Sequence, residues 1–415
     1  MPEFLQLLPP QNALDRLLVA LKQSRGDSRT LDEEIDLSRA LGRVTVEATH
    51  APHPLPSFPR STVDGYAVRA ADTYGASDAL PAYLTVIGEI PMGRAAGIDI
   101  KPYECALIHT GGMLPESADA VVMVEHTQGV RPGEIEVLRA AAVAENVLEI
   151  GEDVSAGQEV ISAGTLLRPA EIGGLAGLGI VRLRVAKRPR VAIISSGDEV
   201  VPPETDIQPG QVRDVNAFTL SALVQDAGGE PVYYGIVADE ADVMEATARE
   251  ALESCDLVVI TAGSSASTRD LTATVINRLG TPGVLVHGVN VRPGKPTILA
   301  VCDGKVMIGL PGNPVSALVI AGLFVAPVIR NLLGIRTERP KPALSAKLTL
   351  NLASSAGRED WIAVRLIKSE HGYLAEPVFG KSNLIFTLSR ADGLVRIPPD
   401  ATGLSVGQLV DVSLF

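Results

Sequence analysis

Residues 190–199 read RVAIISSGDE, an apolar run of strand length that stops at a polar turn containing glycine. From there the chain alternates between short apolar runs and segments of helical periodicity. The predicted elements are the strands Val191–Ser195, Pro231–Val237, Asp256–Thr261, Val284–Gly288 and Val306–Leu310, and the helices Asn216–Asp226, Asp242–Glu253, Leu271–Leu279 and Val315–Ile329. This alternation predicts a parallel sheet with helices on both faces, and ligands of such sheets bind outside the carboxyl ends of the strands.

The residues before this α/β segment follow other patterns. Apolar residues at helical spacing predict an amphipathic helix over Asn12–Lys22 and a second short helix over Asp32–Leu41 that stops at Gly42. A proline-rich stretch then holds the chain extended, because proline fixes φ and disfavours helix in the residue before it. Residues 62–140 are predicted to be all-β, with the strands Tyr83–Gly88, Ala106–His109, Ala120–Val124 and Ile135–Leu138.

The C-terminal segment is predicted to be a separate small β domain. Arg339-Pro340-Lys341-Pro342 reads as a stiff linker, because two of its four residues are proline. The residues after it alternate between short apolar runs and turn formers. The predicted strands are Ala346–Leu350, Trp361–Leu366, Tyr373–Glu376, Gly393–Ile397 and Leu409–Val412.

Length and composition narrow the class of protein. The 415 residues exceed one ordinary domain, so we expect three or four domains. The formal charge of −13 disfavours nonspecific binding to nucleic acid or anionic membranes, and an anionic ligand would need a local basic pocket. The three cysteines are scattered, which disfavours a disulfide framework or a zinc site and fits a reducing compartment. Because we see neither a signal peptide nor an apolar run of about 18 residues, we expect a cytoplasmic protein.

Two segments could bind an anion. Residues 310–317 read LPGNPVSA, a strand that turns into a helix whose free N–H groups and dipole favour negative charge. The same pattern would also describe a helix that is merely well capped. In the second segment, residues 291–296, Arg292 and Lys295 flank a tight turn and could hold a phosphate. A solvated hairpin tip is the alternative there.

Acidic residues on loops could hold a cation. Glu199, Asp239 and Asp270 follow predicted strands of the parallel sheet, whereas Asp64 and Asp153 lie elsewhere. Carboxylates beside phosphates suit Mg²⁺, although a single loop aspartate is more often a turn former or a helix cap. Residues 262–270 read AGSSASTRD, and their hydroxyls, Ser264 and Ser265 among them, could donate to a phosphate or a pterin. A flexible loop is the alternative for that segment.

Eight motifs in the chain together resemble one family. They are STVDGYAV (61–68), HTGGMLP (109–115), ADAVVMVE (118–125), GEDV (151–154), SSGDE (195–199), DVN (214–216), RPGKP (292–296) and LPGNPVSA (310–317). Their order and spacing resemble the molybdopterin molybdenumtransferase family, which includes the C-terminal domain of gephyrin. One motif alone would say little, but the ordered set spans nearly the whole chain.

The resemblance implies an α/β multidomain fold and a reaction. The implied parts are an elongated α/β domain I (residues 1–52 and 141–185), an inserted β domain II (53–140), an α/β molybdopterin-binding domain III (186–338) and a C-terminal β-barrel-like domain IV (339–415). It also implies a homodimer with a cleft between domain III of one subunit and domains of the other. The implied reaction converts adenylyl-molybdopterin and molybdate, with Mg²⁺, to molybdenum cofactor and AMP, and other proteins of cofactor biosynthesis are conceivable partners.

The resemblance also implies roles for individual residues. The family's functional polar positions match Asp64, Thr110, Asp153, Glu199, Asp239, Asp270, Arg292 and Ser382. Catalytic roles are expected for Asp239, Asp270, Glu199, Asp64 and Thr110; the first three would handle Mg²⁺, and the last two would reach in from the partner subunit. Substrate binding is expected of Asp153, Arg292, Lys295, Gly312, Asn313, Pro314, Ser316, Ser264, Ser265 and Ser382.

The chain departs from the family in one loop. The family usually has Gly-Gly-Val-Ser-Val-Gly before its aspartate, and here Ala262 and Ser267 replace two of those glycines. These residues tolerate positive φ less well than glycine does, so the shape of the loop, and with it the metal preference, is open. A tungstate-handling variant is therefore conceivable. A protein that binds molybdopterin without turnover, or a scaffold, is a further alternative. A generic nucleotide-binding α/β enzyme would predict a phosphate-loop fingerprint, which the sequence lacks.

Overall fold

The computed structural model describes residues 7–26, 31–262, 266–336 and 343–415, with residues 266–270 described by their backbone alone. The linker predicted over residues 339–342 and the candidate residues Ser264 and Ser265 therefore lie outside the described residues. The described chain forms α/β and β layers, as the sequence predicts, and ends in a closed five-stranded barrel.

The N-terminal part contains an amphipathic helix and many short strands. The elements are α1 (Pro10–Arg25), β1 (Asp32–Asp36), β2 (Thr49–His50), β3 (Arg60–Ser61), β4 (Gly65–Val68), β5 (Ala82–Glu89), β6 (Glu104–Ile108), β7 (Ala120–Met123), β8 (Thr127–Arg131), β9 (Glu134–Val137), β10 (Val147–Leu148), β11 (Glu159–Ile161), α2 (Pro169–Gly177) and β12 (Arg182–Ala186), with 3₁₀ turns at Leu37–Arg39, Ala70–Thr73 and Val124–His126. The prediction of an all-β segment is confirmed by the six-stranded sheet β7-β4-β6-β5-β9-β8.

The helix predicted over Asp32–Leu41 is wrong. Its first half is β1, which pairs antiparallel with β12, and only Leu37–Arg39 form a 3₁₀ turn. The reason lies in the tertiary contacts of this segment. Ile35 packs into a buried cluster, and on the opposite face of the strand Asp36 pairs with Arg182 and Asp32 pairs with Arg184. A strand lets charges and apolar side chains alternate between its two faces, which a helix does not.

The central part is the predicted α/β layer. The elements are β13 (Arg190–Ser196), β14 (Val200–Val201), β15 (Val212–Arg213), α3 (Asn216–Asp226), β16 (Glu230–Val237), α4 (Ala241–Ser254), β17 (Leu257–Ala262), α5 (Ala266–Arg278), β18 (Pro282–His287), β19 (Val291–Arg292), β20 (Ile298–Cys302), β21 (Lys305–Pro311) and α6 (Pro314–Leu332). The sheet order is β16-β13-β17-β21-β20-β18, in which β16, β13, β17 and β21 are parallel and β20 runs opposite to both neighbours.

The reversal at β20 has a local cause. Asp303 and Gly304 both have positive φ and connect β20 to β21 in a tight hairpin. Asp-Gly is a favoured pair for such a turn, so β20 must run antiparallel to β21. The parallel ladder of β16, β13, β17 and β21 is unaffected, because it lies on the other side of β21.

Alternate side chains of the sheet enter two buried clusters. Val191 and Ile193 of β13 face α1, α3 and α6, whereas Ala192 and Ile194 face α4 and α5. Helix α6 is long and apolar enough to cross a membrane by length and composition, but most of it is buried within the fold. It is the core helix that the sequence predicts, and at 19 residues it is longer than expected.

The C-terminal part is a barrel. The elements are β22 (Ala343–Leu348), β23 (Leu352–Ala353), β24 (Glu359–Ser369), β25 (Gly372–Pro377), α7 (Phe386–Ser389), β26 (Gly393–Ile397), β27 (Gly403–Leu404) and β28 (Leu409–Leu414). The strands β24, β25, β22, β28 and β26 close on themselves, because β26 pairs with β24. The short strand β19 of the central part adds to this sheet by pairing in parallel with β24.

Helix α1 packs on the α/β sheet although the predicted boundary assigns it to domain I. Ala13, Leu17 and Leu21 are buried in the same cluster as α3 and α6. We therefore predict that Leu17→Ala lowers the free energy of unfolding of the α/β layer by about 2–5 kcal/mol, because it leaves a cavity in that core. The midpoint of urea unfolding, followed by far-UV circular dichroism, measures this. Val19→Ala on the same helix, where Val19 is 56% exposed, is the control and leaves the midpoint nearly unchanged.

Candidate functional site

A cavity of about 850 Å³ lies where the α/β layer meets the barrel. Its wall is formed by β19 and the turn after it, the start of α6, β24 and the loop before α7. Four cations line it, Arg292, Lys295, Arg358 and Lys381, and among the described residues no acidic side chain does. In a chain of formal charge −13, this is a local basic pocket of the kind that the composition requires for an anionic ligand.

The N-terminus of α6 opens into this cavity. Strand β21 leads into the turn at Gly312, Asn313 is the N-cap residue and Pro314 occupies the first turn, where no N–H is needed. The Asn313 amide donates to the Ser382 hydroxyl over 3.0 Å, and the backbone N–H of Val315 donates to the Ser382 carbonyl over 3.0 Å. A barrel residue thus contacts the helix end directly, and it leaves the polar Ser382 side chain on the cavity wall.

The turn at residues 292–296 is not a solvated hairpin tip. Arg292 lies opposite Asp360 in the β19–β24 ladder, so the backbone on one side of the turn is held by the barrel. Gly294 has φ +106°, and a Cβ there would overlap Ile320 of α6. Glycine is therefore required for the turn to lie this close to the helix. The structure places Arg292, Lys295, Asn313, Ser316 and Ser382 around one cavity.

A second group of predicted residues lies at the same edge of the sheet but outside the cavity lining. Glu199 and its neighbour Asp198 follow β13, and Asp239 follows β16; the Asp239 N–H donates to Asp198 Oδ1 over 3.3 Å. Burial raises the pKa of Asp239, and the Asp198 and Glu199 carboxylates raise it further, while the nearby Ser196 hydroxyl acts in the opposite direction. A positive partner would relieve this accumulation of negative charge.

Asp198, Glu199 and Asp239 form what we call the acidic edge. Several buried polar atoms at this edge have no hydrogen-bond partner. In the described part of the chain they include Ser195 Oγ, Ser196 Oγ, Asn216 Oδ1 and Asp239 Oδ1. The Nδ2 atom of the same Asn216 side chain donates to the Gly312 carbonyl over 2.8 Å. This hydrogen bond connects the acidic edge to the turn before α6. The acidic edge and the cavity are therefore neighbouring parts of one surface.

These oxygens are the ligands that Mg²⁺ prefers, and an unpartnered buried carboxylate oxygen fits such an ion. The described residues nevertheless contain no group of three acidic, histidine or cysteine side chains arranged around a metal position. The missing ligands would be water and substrate oxygens, which is the usual situation for Mg²⁺. Asp270 lies on the first turns of α5 after β17, and its side chain is outside the described residues.

Asp64 and Thr110 contact each other in the β domain, away from the cavity lining. Asp64 Oδ1 accepts from the Thr110 N–H over 2.8 Å and from the Thr110 hydroxyl over 3.1 Å. The backbone bond, then the hydroxyl, lowers the pKa of Asp64, and His109 at 3.7 Å contributes less. Asp153 is exposed on the turn after β10, where its N–H donates to the Leu55 carbonyl. Within one chain, the structure does not bring these three residues to the cavity.

Sequence reasoning missed two of the cavity's cations. Arg358 immediately precedes the barrel strand β24, whose first two residues are Glu359 and Asp360, and Lys381 lies beside Ser382. The signal for Arg358 was a charged triplet at the start of an apolar strand. This signal carries no information about which face of the barrel meets the α/β layer. The sequence alone therefore does not place Arg358 at the cavity.

The fold and the site define an α/β protein of the molybdopterin-binding class: residues 192–331 match a probable molybdopterin binding domain. Residues 8–179 match the MoeA N-terminal region (domain I and II), and residues 345–415 match the MoeA C-terminal region (domain IV). The chain therefore belongs to the MoeA family, as the resemblance predicts. Its part in molybdenum-cofactor biosynthesis follows from this membership.

Relatives agree over nearly the full length. Molybdopterin molybdenumtransferase 2 of Mycobacterium tuberculosis is 34% identical over 91% of this chain and 94% of its own. The molybdopterin molybdenumtransferase of Bacillus subtilis is 32% identical over 92% and 90%. A crystal structure of a molybdopterin biosynthesis MoeA protein from Pyrococcus horikoshii OT3 superposes with a TM-score of 0.84 at 30% identity, covering 99% of this chain and 100% of that one.

The raised pKa of Asp239 predicts a pH-dependent stability. The folded chain binds more protons than the unfolded chain between the ordinary value of 3.8 and the raised pKa, so stability falls as pH rises through that window. Asp239→Asn removes a half-buried negative charge beside Asp198 and Glu199, and it is expected to raise the thermal midpoint at pH 7 without ligand. The gain should shrink as the pH approaches 3.8. A variant that is less stable than the parent at pH 7 would contradict this account of the acidic edge.

Proposed function

We propose that this protein is a molybdopterin molybdenumtransferase that inserts molybdate into adenylyl-molybdopterin and releases AMP in a Mg²⁺-dependent reaction. The observation that carries the proposal is a cavity that, among the residues the structure describes, is lined by four cations and by no acid, and that adjoins an acidic sheet edge. Both substrates are anions, and bringing two anions together is unfavourable unless positive groups surround them. The names of the relatives support the same reaction class.

The chain's own residues would divide the work between these two parts. Arg292, Arg358 and Lys295 would bind the phosphate groups of the adenylylated substrate, since guanidinium and ammonium groups pair with phosphate oxygens. The start of α6, with Asn313, Ser316 and Ser382, would orient the same end of the ligand through hydrogen bonds. Walls formed by the barrel and α6 would limit the access of water to the anhydride bond.

The acidic edge would serve the cation. Glu199 and Asp239, with Asp270, would hold Mg²⁺, which when bound supplies charge neutralisation at the phosphoanhydride. The raised pKa of Asp239 fits this role, because a cation restores the charged form of a buried carboxylate. Hydrolysis of the phosphoanhydride would consume one water and release AMP. Exchange of one molybdate oxo group for the two dithiolene thiols would release one water, which carries the two thiol protons, so the two steps balance without a change of oxidation state.

Two further parts of the proposal concern the assembly and its location. We propose a homodimer, because Asp64 and Thr110 form a hydrogen-bonded pair that one chain alone leaves outside the cavity. We also propose a cytoplasmic location, because Cys105, Cys255 and Cys302 are free, buried thiols that fit a reducing compartment. Transfer of the finished cofactor to other proteins of the same biosynthesis is part of the proposal.

Asp239→Asn is expected to lower turnover by about 100-fold or more, because it removes a charged group from the cation site. The assay follows AMP release and cofactor formation from adenylyl-molybdopterin, molybdate and Mg²⁺. Asp226→Asn is the matched control: Asp226 is an exposed carboxylate at the far end of α3, and its loss should leave turnover unchanged.

If the parent protein binds adenylyl-molybdopterin yet releases no AMP, it is a binding protein or scaffold. Faster turnover with tungstate than with molybdate would instead identify a tungstate-inserting variant.

The proposed composite site predicts complementation between two inactive variants. In a dimer that combines one Asp64→Ala subunit with one Asp239→Asn subunit, one site carries both changes and the other carries neither. Random mixing after mild dissociation should then restore roughly a quarter of the parent's activity. Each variant remixed with itself is the control. A mixture as inactive as its components would mean that Asp64 and Asp239 act in the same subunit or that Asp64 has no part in the reaction.

A further inference from the structure

Asp360 is a buried carboxylate directly behind the cationic wall of the cavity. Its side chain is fully buried, and it does not line the cavity itself. It accepts Arg358 Nε on Oδ1 over 2.7 Å and Arg358 Nη2 on Oδ2 over 3.0 Å. The Nη1 atom of Arg292 lies 3.9 Å from the same Oδ2. One carboxylate thus contacts both arginines of the wall from the protein side.

The backbone places Asp360 for this contact. Arg292 and Asp360 are register partners in the parallel pairing of β19 with β24, which joins the α/β layer to the barrel. The neighbouring Glu359 has other partners: it accepts from the Trp361 indole over 2.8 Å and from Arg396 over 2.7 Å. Its negative charge is therefore matched by a cation that does not line the cavity, and Asp360 is left as the carboxylate that contacts the wall.

The charges do not cancel. Arg292 and Arg358 contact the one carboxylate of Asp360, and Lys295 and Lys381 line the cavity as well, so the wall keeps an excess of positive charge toward the cavity. The pairing with Asp360 uses the Nε and Nη2 atoms of Arg358, so it does not occupy the Nη1 edge. A guanidinium held on one edge by a buried carboxylate loses little rotamer freedom when its other edge binds a ligand. A free side chain of this length otherwise loses a large share of its rotamer entropy when a ligand fixes it.

We infer that Asp360 is a positioning residue for anion recognition, which orients the guanidinium of Arg358, and with it that of Arg292, toward a phosphate or phosphate-like oxyanion in the cavity. The inference rests on the proposed function for the identity of the natural substrate, but its test also uses inorganic pyrophosphate. Asp360 touches no ligand; it acts through the two arginines.

Asp360→Asn separates this role from simple electrostatics. The change makes the wall more positive, so charge alone predicts tighter binding of an anion. Positioning predicts the opposite, because an amide offers one acceptor oxygen where the carboxylate offers two and cannot hold Arg358 side-on. We expect the affinity for pyrophosphate, measured by titration calorimetry, to fall roughly tenfold. In the transferase assay we expect the KM for adenylyl-molybdopterin to rise by a similar factor while kcat changes less.

Three comparisons make the outcome decisive. Glu376→Gln removes a carboxylate from an exposed ion pair with Arg365 on the same barrel, and it should leave pyrophosphate affinity unchanged. Arg358→Lys keeps the charge without the fork and should weaken binding as Asp360→Asn does, so the inference stays testable even if Asp360→Asn does not fold. In an Arg358→Ala background, Asp360→Asn should cost less than it does in the parent, because only the longer contact with Arg292 is left for it to remove.

Trp361, the only tryptophan of the chain, lies next to Asp360 and on the cavity wall. Its emission spectrum reports whether the barrel around the substituted site remains intact. If folded Asp360→Asn binds pyrophosphate as tightly as the parent, or more tightly, the positioning role is overturned even where turnover proves the transferase. If the parent binds pyrophosphate and depends on Asp360 but never releases AMP, the proposed function fails and the positioning role stands.

Discussion

The structure depends on the parallel contact between β19 and β24, because this pairing joins the α/β layer to the barrel and encloses the cavity. The ladder has only two register pairs, Val291 with Glu359 and Arg292 with Asp360. Two other contacts support it on the opposite side of the cavity, where the Ser382 carbonyl and hydroxyl accept bonds from the start of α6. A binding surface of this kind is only as well defined as the contact between the two domains that form it.

Charge is distributed unevenly over this surface, and the distribution suits the proposed binding of two anions. The acids lie after β13 and β16, the cations lie after β18 and in the barrel, and Asn216 joins the two parts through the Gly312 carbonyl. Within the described residues, no ion pair joins an acid of the edge to a cation of the cavity. Each part therefore keeps its own field for a ligand, which is how a fixed protein environment stabilises charge without reorganising during a reaction.

Local sequence patterns determined how much could be predicted. The elements of the α/β layer were predictable because apolar runs and helical periodicity are local signals, and the turn before α6 was recognisable from Pro311, Asn313 and Pro314. The segment at Asp32 was mistaken for a helix because its partner β12 lies about 150 residues further along the chain. The same difficulty hid Arg358 and Asp360. Their importance arises from a contact between segments that are distant in sequence, and residue type or spacing does not reveal it.

The buried oxygens at the acidic edge, among them Asn216 Oδ1 and Asp239 Oδ1, make this edge a suitable place for a ligand. A buried polar group without a hydrogen bond costs about 1–3 kcal/mol, and Ser195, Asn216 and Asp239 each carry one. This cost lowers the stability of the free protein, and a ligand that supplied the missing partners would recover it. Satisfying these atoms internally would stabilise the chain and weaken the ligand's advantage. The two parts of the surface therefore favour a ligand in different ways. At the acidic edge, buried oxygens are left without hydrogen-bond partners that a ligand could supply. At the cavity wall, the contact with Asp360 already fixes the arginines before a ligand binds.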